Sequence, residues 1–136
     1  MEKTFVEFNG KRYDISGKLI AQRMMWGYPK WYHRITVKDG EHTTVFPFYT
    51  PDNVLNDYEL RFALYCLLSD AIAYRNAKDK KDFASEFGYE IPEPSEPVNT
   101  ELESAWKGCK SASKKCENFD SDIYEFADYL QETYSL

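Results

Sequence analysis

Between Glu117 and Leu136 the chain carries six carboxylates and no lysine or arginine. Glu125, Asp128 and Glu132 are spaced three and four apart, so on a helix they fall within about 60° of one another. Asp122 borders that row and Asp120 stands at its rim, while Ile123, Phe126, Leu130 and Tyr134 take the other side. Like charges at this spacing cost a helix roughly a few tenths of a kcal/mol each, so helix stability is no reason for them. Two chemistries fit the row. One is an ordinary solvated face. The other is a phosphate-like surface aimed at a basic groove of a nucleic-acid-handling protein.

A second cluster runs Arg23, Trp26, Tyr28, Lys30, Trp31, Tyr32, His33, Arg34. Aromatics interleaved with cations can stack and neutralise a single nucleic-acid strand, with Trp26, Tyr28, Trp31 and Arg34 as the candidate contacts. The competing reading makes Trp31 and its neighbours sheet core, with Trp26 and Tyr28 packed against them. No RNP-like pattern accompanies the cluster.

Catalysis finds little here. The two histidines, His33 and His42, read as partly buried structural residues on the apolar face of a hairpin. There is no HxxxH, HExxH, GxSxG, Walker or GxGxxG spacing. Cys66, Cys109 and Cys116 include no CxxC pair; the last two, seven apart on a helix, are separated by about 10.5 Å of rise, too far for a disulfide. They read as buried thiols of a reducing compartment. The expectation is a non-enzyme with no catalytic residue, no cofactor and no metal.

The elements that must position these residues are legible in part. Thr4–Phe8 and Lys11–Ile15 flank Asn9-Gly10, a two-residue hairpin signal, which puts Val6 and Phe8 on one face with Tyr13 and Ile15 and sets Glu7 across from Arg12. Residues 16–30 read as a connector in which Lys18–Met25 forms a short helix and Trp26 to Pro29 a loop. Trp31–Lys38 and Glu41–Tyr49 form a second hairpin around Asp39-Gly40, pairing Val37 with His42, Ile35 with Thr44, His33 with Phe46 and Trp31 with Phe48. Pro47 marks an edge position or a bulge. A helix capped by Asn56 or Asp57 runs to about Asn76 and is apolar on nearly all sides, which makes it central. A short helix, Asp79–Phe87, stops at Gly88. Residues 91–98, with three prolines, form a stiff connector. Thr100 opens a helix to about Asn118 through a capping box with Glu103, and a last helix spans about Ser121–Tyr134. Strands first and helices after give one α+β domain over residues 1–136: antiparallel hairpins of about four strands over residues 4–49, packed against three to four C-terminal helices over 57–134.

At the second hairpin and beyond, the pieces WYHRITV (31–37), VFPF (45–48), LYCLLSDA (64–71), FASEFGYE (83–90) and WKGCK (106–110) occur in an order and spacing that resembles a family of small proteins encoded by bacteriophages and mobile elements. The resemblance covers about residues 31–116. This sequence departs from that pattern at the proline-rich 91–98, and the acidic last helix is not a fixed feature of the pattern. The resemblance implies a context, small acidic proteins that act against host defences, and no catalytic site.

Charge completes the picture. The net charge is −6, but residues 1–78 hold 11 cations and 9 carboxylates, whereas residues 79–136 hold 6 and 14. An acidic half seeks a basic partner and is repelled by duplex DNA. No apolar leader and no stretch of about 20 apolar residues occurs, so a cytoplasmic protein without a membrane partner is expected, in the host cell's cytoplasm. The leading expectation is an inhibitor of a host CRISPR or restriction effector that occupies its basic nucleic-acid groove with Asp120, Asp122, Glu125, Asp128 and Glu132, with direct nucleic-acid binding disfavoured. The alternatives are a single-strand nucleic-acid-binding accessory protein using Trp26, Tyr28, Trp31 and Arg34, and a structural or regulatory adaptor.

Overall fold

Positive φ at Asn9 (52°) and Gly10 (75°) turns the chain within two residues, as the Asn-Gly pair requires. That turn joins β1 (Glu2–Phe8) to β2 (Lys11–Met25). The chain then runs through β3 (Tyr28–Lys38), β4 (Thr43–Thr50), α1 (Asp57–Asn76), α2 (Lys80–Phe87), α3 (Thr100–Lys115), a 3-10 turn (Cys116–Asn118) and α4 (Ile123–Tyr134). The structure, a computed structural model, describes residues 2–25, 27–119 and 122–136, without the Met25 side chain. The four strands form one antiparallel sheet in sequence order. The α+β class is therefore as read from the sequence, with all helices following the sheet.

One face of the sheet is the core. Val6, Phe8, Tyr13, Ile15, Ile35, Val37 and Phe46 are buried against α1 and α4. Phe126 of α4 stacks on Phe8 at 4.7 Å and lies 4.9 Å from Tyr13. The central helix α1 buries Leu60, Ala63, Leu64, Leu67, Leu68 and Ala71, and opens with a capping box between Asn56 and Glu59. Arg61 on α1 donates to the Phe5 carbonyl at 3.1 and 3.2 Å and lies over the Tyr134 ring, so it satisfies an acceptor of edge strand β1 while holding α4. At the other end of α1, Arg75 binds the side chain and carbonyl of Ser113 on α3. A second, smaller apolar cluster joins Phe83, Ala84 and Leu102, with Trp106 packed on it.

Several expectations are corrected. Residues 18–25 are not a helix and 16–30 are not a connector: β2 continues as a strand to Met25, and β3 begins at Tyr28, three residues before Trp31. The two strands pair as far as Met25 with Tyr28, so cross-strand hydrogen bonding overrides weak local preferences. The second hairpin closes through four residues rather than two. Asp39 Oδ1 accepts from the amides of Glu41 (3.0 Å) and His42 (2.8 Å), and pairing starts at Lys38 with Thr43. The register shifts by two: Ile35 faces Phe46, His33 faces Phe48 and Trp31 faces Thr50. An even shift keeps every side chain on its expected face. It takes His42 off the apolar face, however, into the exposed turn. Glu7 does face Arg12, but the guanidinium bonds Asp14 at 3.0 Å instead and lies 3.9 Å over Phe5. Asn99, not Thr100, caps α3, and Glu103 pairs with Lys80. Asp122 caps α4; Ser121, the expected start of that helix, lies outside the described residues.

Candidate nucleic-acid interface

The long hairpin of β2 and β3 extends beyond both neighbours. β1 ends its pairing at Glu2 with Gly17, and β4 at Thr50 with Trp31. What projects past them is a two-stranded ribbon. Pro29 sits there on a strand edge with no further neighbour, where a missing N–H is tolerated.

Midway along β2, Leu19 faces His33 and Ala21 faces Tyr32, which leaves Ile20 as the extra residue of a β-bulge. In a regular strand the odd residues of β2 point inward, as Tyr13, Ile15 and Gly17 do. The bulge reverses that parity. Beyond it Arg23 opposes Lys30 on the outer face, and Gln22 opposes Trp31 on the inner one. Arg23 accordingly lies 5.4 Å from the ring of Tyr32, an outer residue.

The consequence is a concentration of charge. The segment from Ile15 to Lys38 contains five cations and no carboxylate. All five (Lys18, Arg23, Lys30, Arg34, Lys38) fall on the sheet face that no helix covers. With Lys3 and Arg12 that face has seven cations against two strand carboxylates, Glu7 and Asp14, both at its β1 end. Between the cations stand tyrosines: Tyr32 and Tyr49 pair at 5.2 Å, and Tyr28 near the ribbon tip is 72% exposed.

The sequence-derived candidates divide. Tyr28 and Arg34 belong to this face. Trp31 is half-buried on the opposite one, and Trp26 lies outside the described residues. Arg23, Lys30 and Tyr32 belong to the sequence cluster without being among its four candidate contacts, and Lys18, Lys38 and Tyr49 lie outside it. The acid-free run from Ile15 to Lys38 was the available signal; it is masked when charge is counted by halves.

The acidic row sits elsewhere. Glu125, Asp128 and Glu132 are exposed on α4, on the side opposite the buried Ile123, Phe126 and Leu130, and make no hydrogen bond or ion pair with a described residue. Asp122 is engaged as the helix cap, accepting from the Tyr124 amide at 2.9 Å. Asp120 lies outside the described residues. The row is thus built on the helix that covers the sheet's inner face, and it points away from the basic surface.

No protein-family model matches this chain, and neither a curated protein nor a solved structure is detectably similar to it.

Other reactive groups are held in structural roles. His33 is fully buried; its Nε2 donates to the Asp52 carbonyl at 2.8 Å, and its Nδ1 has no partner among the described residues. Glu59 nearby has its carboxyl pushed up by burial and by a hydrogen bond with Asp52. Burial raises the thiols of Cys66 and Cys109 to about 11 and that of Cys116 to about 12, which makes them poor nucleophiles at neutral pH. Among the described residues no three His, Cys, Asp or Glu side chains are arranged to hold a metal ion, and no helix is long and apolar enough to cross a membrane.

Proposed function

We propose that this chain is a non-enzymatic accessory protein that binds single-stranded nucleic acid across the uncovered face of its sheet. One observation carries the reading: every cation of the acid-free segment shares that face with Tyr28, Tyr32 and Tyr49. Lys18, Arg34, Arg23 and Lys30 track phosphates, and the tyrosines offer rings on which bases stack without regard to sequence. The overall charge of −6 does not oppose this, because the nearest charges dominate at physiological salt, where screening acts within about 8 Å. The test is fluorescence anisotropy with labelled single-stranded DNA and RNA at several salt concentrations. Affinity should fall steeply with salt. Replacing Arg23 and Arg34 together by Glu should remove binding without altering the melting temperature. Absence of binding to every oligonucleotide at low salt would falsify the reading.

A second reading rests on the α4 carboxylates that pair with no described residue. In it the chain, in a phage or mobile-element setting, blocks a host CRISPR or restriction effector by presenting Glu125, Asp128 and Glu132 to its basic channel. Co-purification with such an effector that survives nuclease treatment and is lost in a triple Lys variant of those residues would favour it over the first.

A further inference from the structure

We propose that the groove along α1, from β4 at one end to α2 at the other, docks a helix of a protein partner that carries one arginine or lysine at the centre of its apolar stripe. The proposal is independent of the nucleic-acid reading, which uses the uncovered sheet face and shares only Tyr49 with the groove, at its β4 end.

Three cavities make up the groove. One of 390 Å³ lies between β4, α1 and α3. A second of 390 Å³ lies between α1, α3 and α2. A third of 170 Å³ follows between α1 and α2. Asp70 and Gly108 line both the first and the second, and Ala73, Phe83 and Phe87 line both the second and the third. The cavities therefore adjoin. Their floor on α1 runs from Ala63 to Ala77 at helical spacing, about 21 Å, the length of a helix of about 14 residues.

Gly108 sits in the middle of α3, where glycine weakens a helix. A Cβ there would meet nothing within 4 Å. The chain's own packing does not call for glycine at this point, and the absent side chain keeps the groove open where its two larger chambers meet. At the same junction Asp70 makes no hydrogen bond or ion pair with a described residue. It is exposed to solvent, and the groove walls on its inner side hold its carboxyl above the usual range by desolvation. Phe87, 52% exposed, forms an apolar lip beyond it.

The chemistry of the occupant follows. Asp82 and Glu86 border the α2 end, and the one cation among the described lining residues, Lys115, lies at the β4 end. The centre thus calls for a cation and repels a nucleic acid. The walls are mostly helices whose backbone groups are already bonded, so an extended peptide would find few strand partners along them. A helix brings its own hydrogen bonds and needs only an apolar stripe.

The probe is a pair of peptides of about 14 residues. Each is an Ala/Gln helix with leucines along one stripe; one has Arg beside the central leucine, the other Glu. Titrated into the full chain and followed by amide NMR, the Arg peptide should bind saturably and shift residues 66–73 and 105–109. The Glu peptide should bind about tenfold more weakly. Asp70→Asn should abolish that difference. Gly108→Leu should abolish binding of both peptides while α3 melts no earlier, since leucine favours a helix. Should Gly108→Leu perturb the fold, the conservative Asp70→Asn still decides. Absence of saturable shifts with the Arg peptide, shifts confined to another surface, or discrimination that persists in Asp70→Asn would overturn the proposal.

Discussion

Gly17 brings β2 directly against the central helix. A Cβ at this position would stand 3.1 Å from Leu60 Cδ2 and 3.4 Å from Leu55 Cδ1, both in the core. Gly17→Val would improve strand propensity, yet its branches have no room, and overpacking of this kind costs about 1–3 kcal/mol. Urea denaturation should show a lower midpoint with an unchanged slope. Glu59 presents a different case at the same scale. Burial, then a hydrogen bond with Asp52, raise its carboxyl above the reference value of 4.5. The folded state therefore holds this proton more tightly than the unfolded chain does. Its contribution is complete below that reference value and is lost as pH rises through the folded-state value. Glu59→Gln keeps a side chain that can serve the capping box and does not titrate. The variant should match the parent near the acid end and melt higher at pH 7, so that the two melting curves diverge with rising pH. Curves that stay parallel across the range would show that the Asp52 contact does not act on stability.

At the scale of elements the decisive feature is the bulge at Ile20, and it is also what hid the second half of β2 from the sequence. A strand is recognised by alternation, and one extra residue slips the phase. Leu19, Ile20, Met24 and Met25 then fall at spacings a helix would also produce, while Gly17 and Pro29 read as breaks. Where no phase slip intervenes, in β1, α1 and α2, the expected and observed elements agree to within about two residues, because turn, cap and periodicity signals concur. The Asp39-Gly40 turn shows a milder failure. The dipeptide signalled the hairpin correctly, but the Asp39 carboxylate captured two amides and lengthened the turn, a side-chain competition that the dipeptide alone does not reveal. The bulge argument has a direct test. Exchanging two neighbours, Gln22→Arg with Arg23→Gln, conserves composition and net charge and only moves one cation to the other face of the ribbon. Oligonucleotide affinity should fall, and the slope of log affinity against log salt should shrink by about 0.7, the value of one phosphate contact with a single strand. Deleting Ile20 should spare binding, because Arg23 would still oppose Lys30. An exchange variant that binds like the parent would remove the ribbon from the interface.

The whole molecule is polarised: a basic, tyrosine-bearing sheet on one side, and on the other a helix with an exposed row of carboxylates. Counting charge by halves of the chain found the acidic side and obscured the basic one, since the seven cations of the sheet face are gathered from three strands by folding whereas the carboxylates of 117–136 are already neighbours in sequence. Contact order, not composition, decided which surface was visible. This separation also lets the two functional readings be told apart in one set of proteins. Neutralising α4 with Glu125→Gln, Asp128→Asn and Glu132→Gln leaves the sheet face untouched, and the core of the domain lies between the two surfaces. Screening acts within about 8 Å at physiological salt and about 30 Å at 0.01 M. The triple variant should therefore bind single strands as the parent does at physiological salt, and associate faster only at low salt, where the distant repulsion is felt. If the carboxylates instead mimic phosphates for a basic channel, the same variant should lose effector inhibition at every salt concentration and leave oligonucleotide affinity at physiological salt unchanged. Stopped-flow association at the two ionic strengths, alongside a cleavage assay with the purified effector, separates these outcomes. A large gain in oligonucleotide affinity at physiological salt would contradict both, because it would mean that the row and the bound strand are within a screening length of each other.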